Sequence, residues 1–281
     1  MGAYLRPGTL GEALDALAAG DATIVAGGTD FYPARVGCPV DETVLDISGL
    51  DMLRGLRASD GAVHIGALTT WSDILRAELP GRFAGLKQAA GEIGGVQIQN
   101  VATVCGNICN ASPAADGIPA LLALDAEVEL ASASGERSVP LSAFVTGNRR
   151  TARRANELVT GLSVPDPGDD AHGVFLKLGA RRYLVISIVM VSAVLARGAD
   201  GAISAARIAV GACSEVARRL PALERDLLGR PVDGGLSEIV GAAHLEDLAP
   251  IDDLRGSAAY RQEAARTLIA RALSTLAAAW S

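Results

Sequence analysis

The feature that most constrains this chain is a β-branched run ending on paired glycines, Ile24-Val25-Ala26-Gly27-Gly28-Thr29-Asp30. The run reads as a short buried strand over Thr23–Ala26. Glycine has no Cβ, so the following turn can adopt φ > 0 and bring its N–H groups close to a ligand. Successive N–H groups in such a turn form an anion-binding nest, and Thr29 adds a hydroxyl donor. The same residues also suit an ordinary strand-to-helix turn with Thr29 or Asp30 as N-cap. A second segment has the same character. Thr103-Val104-Cys105-Gly106-Asn107-Ile108-Cys109-Asn110-Ala111-Ser112-Pro113-Ala114-Ala115-Asp116 packs small residues and side-chain donors into fourteen positions. It shows no clear periodicity and reads as a long loop, a kind of segment that is usually functional inside a compact domain. A pyrophosphate cradle needs room for oxygens, N–H donors, and Asn or Ser side chains to complete the shell, and Asp116 could accept from ribose hydroxyls. A long structural turn is the plainer alternative.

Around these segments the composition is that of a folded α/β or α+β protein. Of 281 residues, 32 are glycine and 49% are hydrophobic, which excludes a disordered chain. The net charge is −7 and the basic residues are almost all arginine, Lys87 and Lys177 being the only lysines. No basic run long enough for nucleic acid is present. The cluster Arg149, Arg150, Arg153 and Arg154 reads as a solvated loop or partner contact. The start of the chain lacks the charged and apolar regions of a signal peptide. The longest apolar run, Leu184 to Ala196, has thirteen residues. A membrane span needs about twenty, so this run reads as buried core and the expected location is cytoplasmic. Cys38, Cys105, Cys109 and Cys213 form no disulfide framework. Cys105 and Cys109 lack neighbouring ligands for zinc or a cluster, and read as structural or site-lining thiols.

Periodicity predicts a helix over Gly11–Ala19 with Leu10, Leu14 and Leu17 on one stripe, and helices over Trp71–Leu79, capped by Thr70 or Ser72, and Ala84–Ile93. Further helices are expected over Ile118–Leu124, Pro221–Leu228 and Ser257–Ala279. Strands are expected over Thr43–Ile47, Ala62–Leu68, Leu158–Val164, Gly173–Leu178, Ile188–Ala196 and Ala205–Gly211. Glu127–Ala131 and Arg137–Val139 form a hairpin across Ala133-Ser134-Gly135. Pro165-Asp166-Pro167-Gly168 marks a domain boundary, dividing the chain into 1–168, itself split near 55, and 169–281. The second half favours an antiparallel sheet with helices on one face.

Common catalytic signatures are missing. Neither lysine sits in a phosphate loop, no Gly-x-Gly-x-x-Gly follows a strand, and His64, His172 and His244 stand apart from any nucleophile motif.

Taken together, Ala26-Gly27-Gly28-Thr29-Asp30, Thr103-Val104-Cys105-Gly106-Asn107-Ile108 and Ala111-Ser112-Pro113-Ala114-Ala115-Asp116 resemble the FAD-binding (medium) subunit of the molybdenum hydroxylases, the xanthine dehydrogenase and carbon monoxide dehydrogenase flavoprotein family. Tyr4-Leu5-Arg6-Pro7, Phe175-Leu176-Lys177-Leu178-Gly179 with Arg181-Arg182, and Leu254-Arg255-Gly256-Ser257-Ala258-Ala259-Tyr260-Arg261 extend the resemblance over nearly the whole chain.

The resemblance implies an α+β protein with a vanillyl-alcohol-oxidase (PCMH)-type FAD-binding fold of two α/β subdomains and a C-terminal α+β domain. It places Ala26, Gly27, Gly28, Thr29, Asp30 and Thr103, Val104, Cys105, Gly106, Asn107 around the pyrophosphate, with Ile24, Val25 and Phe31 flanking the first turn. Asp116 is implied to meet the adenosine ribose, Ile93 and Thr160 to touch the cofactor, and Lys177 to lie near the isoalloxazine. Tyr183 is implied to shape access to the ring. Two departures stand out. Cys105-Gly106 replaces the family's frequent Gly-Gly. Tyr183-Leu184-Val185 stands where NAD-using xanthine dehydrogenases carry acidic residues, which counts against NAD, although NAD, oxygen, a quinone and a carrier protein all stay open as acceptors. The implied function is that of an electron-transfer subunit. It would work with a large molybdopterin subunit, which hydroxylates the substrate, and a small subunit holding two [2Fe-2S] clusters, in a dimer of heterotrimers. A self-sufficient flavin oxidoreductase would need a catalytic acid or base, and no constellation for one stands out. A nucleotide-binding scaffold that kept the glycine turns is the non-enzymatic alternative.

Overall fold

The computed structural model describes residues 2–166 and 170–280. Pro167 and Gly168 of the expected boundary lie outside the described residues. The first layer is a three-stranded parallel sheet with Val44–Asp46 in the centre, flanked by Tyr4–Leu5 and Thr23–Val25. The crossover between the two outer strands is the helix Leu10–Ala19. It starts at Thr9 because the Thr9 hydroxyl accepts from Glu12 N while the Glu12 carboxylate accepts from Thr9 N, which satisfies orphan N–H donors reciprocally. Ala13 and Leu17 are its fully buried positions, and Leu10 and Leu14 pack at their side.

A five-stranded antiparallel sheet follows, in the order Leu56–Ser59, Ala62–Gly66, Leu158–Pro165, Glu127–Ser132, Gly135–Pro140. The helices Trp71–Arg76, Ala84–Glu92, Val104–Asn110 and Gly117–Ala123 lie between its second and fourth strands in sequence. Thr70, rather than Ser72, caps the first of them through a reciprocal pairing with Asp73. That helix stops at Arg76, three residues short of the expected end, and the Lys87 ammonium donates to the freed Ala77 carbonyl at 2.7 Å.

The third sheet is antiparallel, with Asp170–Leu178, Val189–Arg197, Ile203–Gly211 and Arg218–Arg219 in order. Helices cover both of its faces, not one. The Ala258–Ala277 helix packs on one side, and the Ala84–Glu92 and Gly117–Ala123 helices of the first half pack on the other. Alternate residues of one strand show this: Val189, Val191, Ala193 and Leu195 join the C-terminal core, whereas Met190 and Val194 join the core of the first half. A strand buried on both faces needs a continuous apolar run, which is what Ile188–Ala196 supplies. Close approach of the two halves depends on Gly173, where a Cβ would lie 2.2 Å from the Arg82 carbonyl oxygen.

The front of that apolar run departs from expectation. Leu184 and Ile186 are exposed, in the loop before the strand, and only the part from Ser187 onward is buried. Among the described residues no helix is long and apolar enough to cross a membrane.

Candidate functional site

The parallel sheet ends at Val25, and its chain leaves through a turn that the expected N-cap reading does not describe. Gly28 has φ +67°, and its carbonyl accepts from Tyr32 N at 3.1 Å. The short helical turn that follows, Pro33–Arg35, has no side-chain cap, so neither Thr29 nor Asp30 serves as one. A Cβ on Gly27 would sit 1.9 Å from the Val101 carbonyl oxygen, and one on Gly28 would sit 2.5 Å from the Tyr32 ring. Gly27 is therefore required by space against the backbone, and Gly28 by its left-handed conformation.

Only the second half of the second segment, residues 111–116, is a loop. Val104–Asn110 is a helix, capped by the Thr103 hydroxyl accepting from Gly106 N at 3.0 Å and ended by Ala111 with φ 47°. Its start is pinned from behind: Val104 N donates to the Thr69 carbonyl at 3.0 Å, and Trp71 N donates to the Ala102 carbonyl at 3.2 Å.

The turn and the helix face each other across an open cavity of about 590 Å³. All of residues 24–31 line it, together with Ile93, Thr103, Cys105, Gly106 and Asn107. Val104 points away and is completely buried in the core. Thr160 follows the lining residue Val159 but is not itself on the wall. Asp116, Lys177 and Tyr183 lie elsewhere as well. Asp116 is 7% exposed and holds Lys177 Nζ at 2.6 Å and Ser187 Oγ at 2.5 Å. Burial pushes the Asp116 carboxyl up, while the Lys177 ammonium and the Ser187 hydroxyl oppose the shift. Lys177 also donates to the Glu92 carbonyl at 3.4 Å, immediately behind the wall residue Ile93. Lys177, Arg181 and Arg182 border a separate open pocket of about 570 Å³. Tyr183 is exposed, with the Arg182 guanidinium over its ring.

Several lining groups escaped the sequence reading. Cys109 and Asn110 lie one helical turn beyond the Gly106 face and share the wall with it. Cys105 is buried, which pushes its thiol well above its ordinary value, whereas Cys109 is exposed on the open cavity; neither is ionised at pH 7. The Arg35 guanidinium donates to the Phe31 carbonyl at 3.1 Å and lies over the Phe31 ring, fixing that side chain. The arginine cluster is the solvated loop the sequence suggested at Arg149, Arg150 and Arg154, all exposed, but it also reaches the site. Arg153 lines the cavity, and Arg149 donates to Asp30 and Asn110. Arg153 donates to the Arg154, Ala155 and Glu157 carbonyls and has no carboxylate within ion-pair distance among the described residues. The signal for these residues was there in the density of arginine beside Asn148, but nothing in the sequence said which wall they face.

The cavity suits an extended, anionic, partly apolar ligand. Backbone N–H groups come from the glycine turn, which forms an anion-attracting nest, while the first N–H groups of the helix are taken up by Thr69 and Thr103. Ile24, Ile47, Ile98 and Leu158 supply apolar walls. The Asn107 Oδ1 atom is buried with no partner among the described residues. No group of three His, Cys, Asp or Glu side chains stands close enough to hold a metal among them.

Residues 1–167 match the family described as the FAD binding domain in molybdopterin dehydrogenase, and residues 175–276 match the CO dehydrogenase flavoprotein C-terminal domain. The chain is 31% identical to the xanthine dehydrogenase FAD-binding subunit of Escherichia coli O157:H7, covering 98% of this chain and 96% of that protein. It is 32% identical to the glyceraldehyde dehydrogenase medium chain of Sulfolobus acidocaldarius, covering 98% of each. Its fold superposes on carbon monoxide dehydrogenase from Hydrogenophaga pseudoflava, solved in a form lacking the Mo-pyranopterin moiety, with TM-score 0.85, 29% identity, and coverage of 99% and 97%. The α+β fold anticipated from the sequence is thus that of a solved flavoprotein chain.

Proposed function

Because the chain belongs to the family of FAD-binding medium subunits of the xanthine dehydrogenase and carbon monoxide dehydrogenase type, we propose that it is the electron-transfer subunit of a heteromeric molybdenum hydroxylase. In this reading it takes electrons from iron–sulfur clusters on a small partner and delivers them to an external acceptor. A large molybdopterin subunit oxidises the substrate. The assembly is a dimer of heterotrimers in the cytoplasm.

The observation that carries the reading is the convergence of residues 24–31 and the capped helix Val104–Asn110 on one cavity. The residues there fit FAD. Gly27 and Gly106 let the two walls pack closely, since a Cβ would strike the Val101 carbonyl oxygen at one and the Thr103 hydroxyl at the other, and the left-handed Gly28 turns its backbone toward the cavity. The Thr29 hydroxyl and the Asn107 amide would complete the donor set. Ile93 would border the ring, with Lys177 tied to Glu92 behind it. Asp116 and Thr160 would act from the layer behind the wall. When bound, FAD supplies the exchange of one or two electrons, and the protein supplies orientation and electrostatics. The chain's own groups exclude water and hold charge; the two neutral thiols and the apolar wall keep the cavity's dielectric low. We assign residues 1–168 to FAD binding, in subdomains divided near residue 55, and 169–281 to a C-terminal domain that packs over it.

The test is purification of the chain alone and with the two partner chains. The chain alone should bind one FAD per molecule, giving a flavin absorption spectrum, and should hydroxylate nothing. Hydroxylation should arise only with the large subunit present. A chain that takes up no flavin, or that oxidises a substrate unaided, overturns the reading.

A further inference from the structure

The two cofactor-facing segments are far apart in sequence, and one side chain joins them. Arg149 Nη1 donates to Asp30 Oδ2 at 2.5 Å, on the glycine turn, and to Asn110 Oδ1, at the end of the capped helix. Arg149 N donates to the Ala111 carbonyl at 2.9 Å, so backbone and side chain both grip the helix end. The residue is held in a left-handed conformation, φ 58°, which a non-glycine residue adopts only when its surroundings enforce it. Those surroundings are visible. Arg149 sits in the turn between the strands Val145–Gly147 and Arg150–Thr151. The Glu215 carboxylate anchors that turn from the C-terminal half, accepting from Asn148 N at 3.2 Å and Arg150 Nη2 at 3.0 Å.

We propose that Arg149 is a positioning residue for FAD, a cross-brace that holds the glycine turn and the capped helix at the separation the diphosphate requires. The inference rests on the FAD reading above. Its charge is already matched by Asp30, so Arg149 acts on the site's geometry and not as a direct counter-ion of the cofactor. Preorganising two binding segments raises affinity by removing the cost of ordering them.

The experiment measures FAD dissociation constants on the full-length apo chain, alongside thermal unfolding by circular dichroism. Arg149→Met should weaken FAD binding roughly tenfold, the usual scale for losing a charged hydrogen-bonding partner, with little change in apo unfolding temperature. Arg149→Lys, which keeps the charge but loses the planar guanidinium fork, should recover part of the loss. In the Asp30→Asn background, Arg149→Met should cost less than in the wild type, because the charge-assisted arm to the glycine turn is already weakened. Should Arg149→Met fail to fold, the Arg149→Lys and Asp30→Asn variants carry the same comparison. Unchanged affinity in Arg149→Met overturns the proposal. So does a full, additive loss in the Asp30→Asn background, which would mean a direct charge effect. If the wild-type chain itself takes up no FAD, the functional reading falls, and the brace with it.

Discussion

Asp116 and Lys177 were each legible as candidate cofactor residues, but not as partners. They lie 61 positions apart, and their pairing at 2.6 Å exists only once the Gly117–Ala123 helix packs on the third sheet. The link from Arg149 to Asp30 was invisible for the same reason, because a charge's partner across the fold leaves no mark beside it in the chain. The pair makes a sharp prediction. Both side chains are more than nine-tenths buried, so removing one leaves an uncompensated buried charge, which costs about 3–5 kcal/mol. Lys177→Met should destabilise the apo chain by about that much at pH 7, and the Asp116→Asn, Lys177→Met double variant by distinctly less. The pH dependence follows from the direction of the shift. The Asp116 carboxyl is already pushed up by burial, and loss of the ammonium pushes it further. A carboxyl whose folded pKa is raised contributes stability that is full below its unfolded pKa, about 3.9, and is lost as pH rises through the folded value. Urea titrations of Lys177→Met should therefore show a defect that shrinks toward pH 4.5. A defect that is equal at both pH values would mean the cost is packing alone.

At the scale of elements, hairpins and amphipathic helices were readable because alternation and capping residues sit beside one another. The helix Val104–Asn110 was not. Glycine, asparagine and cysteine are poor helix formers, and the glycine at its third position removes the side chain that a reciprocal cap would use. What nucleates it is tertiary: Thr69 and Thr103 pin its first turn from the core side. The available sequence signal was Thr103 itself, an N-cap residue three positions before Gly106. Leu184 and Ile186 failed in the opposite direction, since an apolar run carries no mark of where its strand begins. Thr103→Ala should cost about 1 kcal/mol in urea unfolding, and Thr103→Ser, which keeps the oxygen, should retain most of it. The alanine variant should also bind FAD more weakly, because its helix start frays where the cavity wall is built. Loss of stability in the serine variant equal to that in alanine would show that the methyl group, not the cap, is what matters.

At the scale of the whole molecule, the proline- and glycine-rich stretch suggested two domains, and the family matches also divide near it. The packing ties the halves together nonetheless. Phe175, Met190, Val194 and Ala209 come from the third sheet yet belong to the core of the first half, and Glu215 anchors the turn that carries Arg149. Halves that share a core should unfold as one unit. The two tryptophans are placed to test this. Trp71 is fully buried on the cavity side, whereas Trp280 packs on His172 and donates to Asp170 at the far end. Trp280→Phe leaves a reporter in the first half, and Trp71→Phe leaves one in the second. A ligand that binds only the native state stabilises it by RT ln(1 + [L]/Kd), about 2.7 kcal/mol at a hundredfold excess over Kd. If the halves are one cooperative unit, FAD at that excess should move the unfolding midpoint of both reporters by the same amount, although Trp280 does not line the cavity proposed for it. A shift seen by Trp71 alone would mean that the third sheet unfolds independently, and that the covering of its inner face by the Ala84–Glu92 and Gly117–Ala123 helices contributes too little to couple the halves.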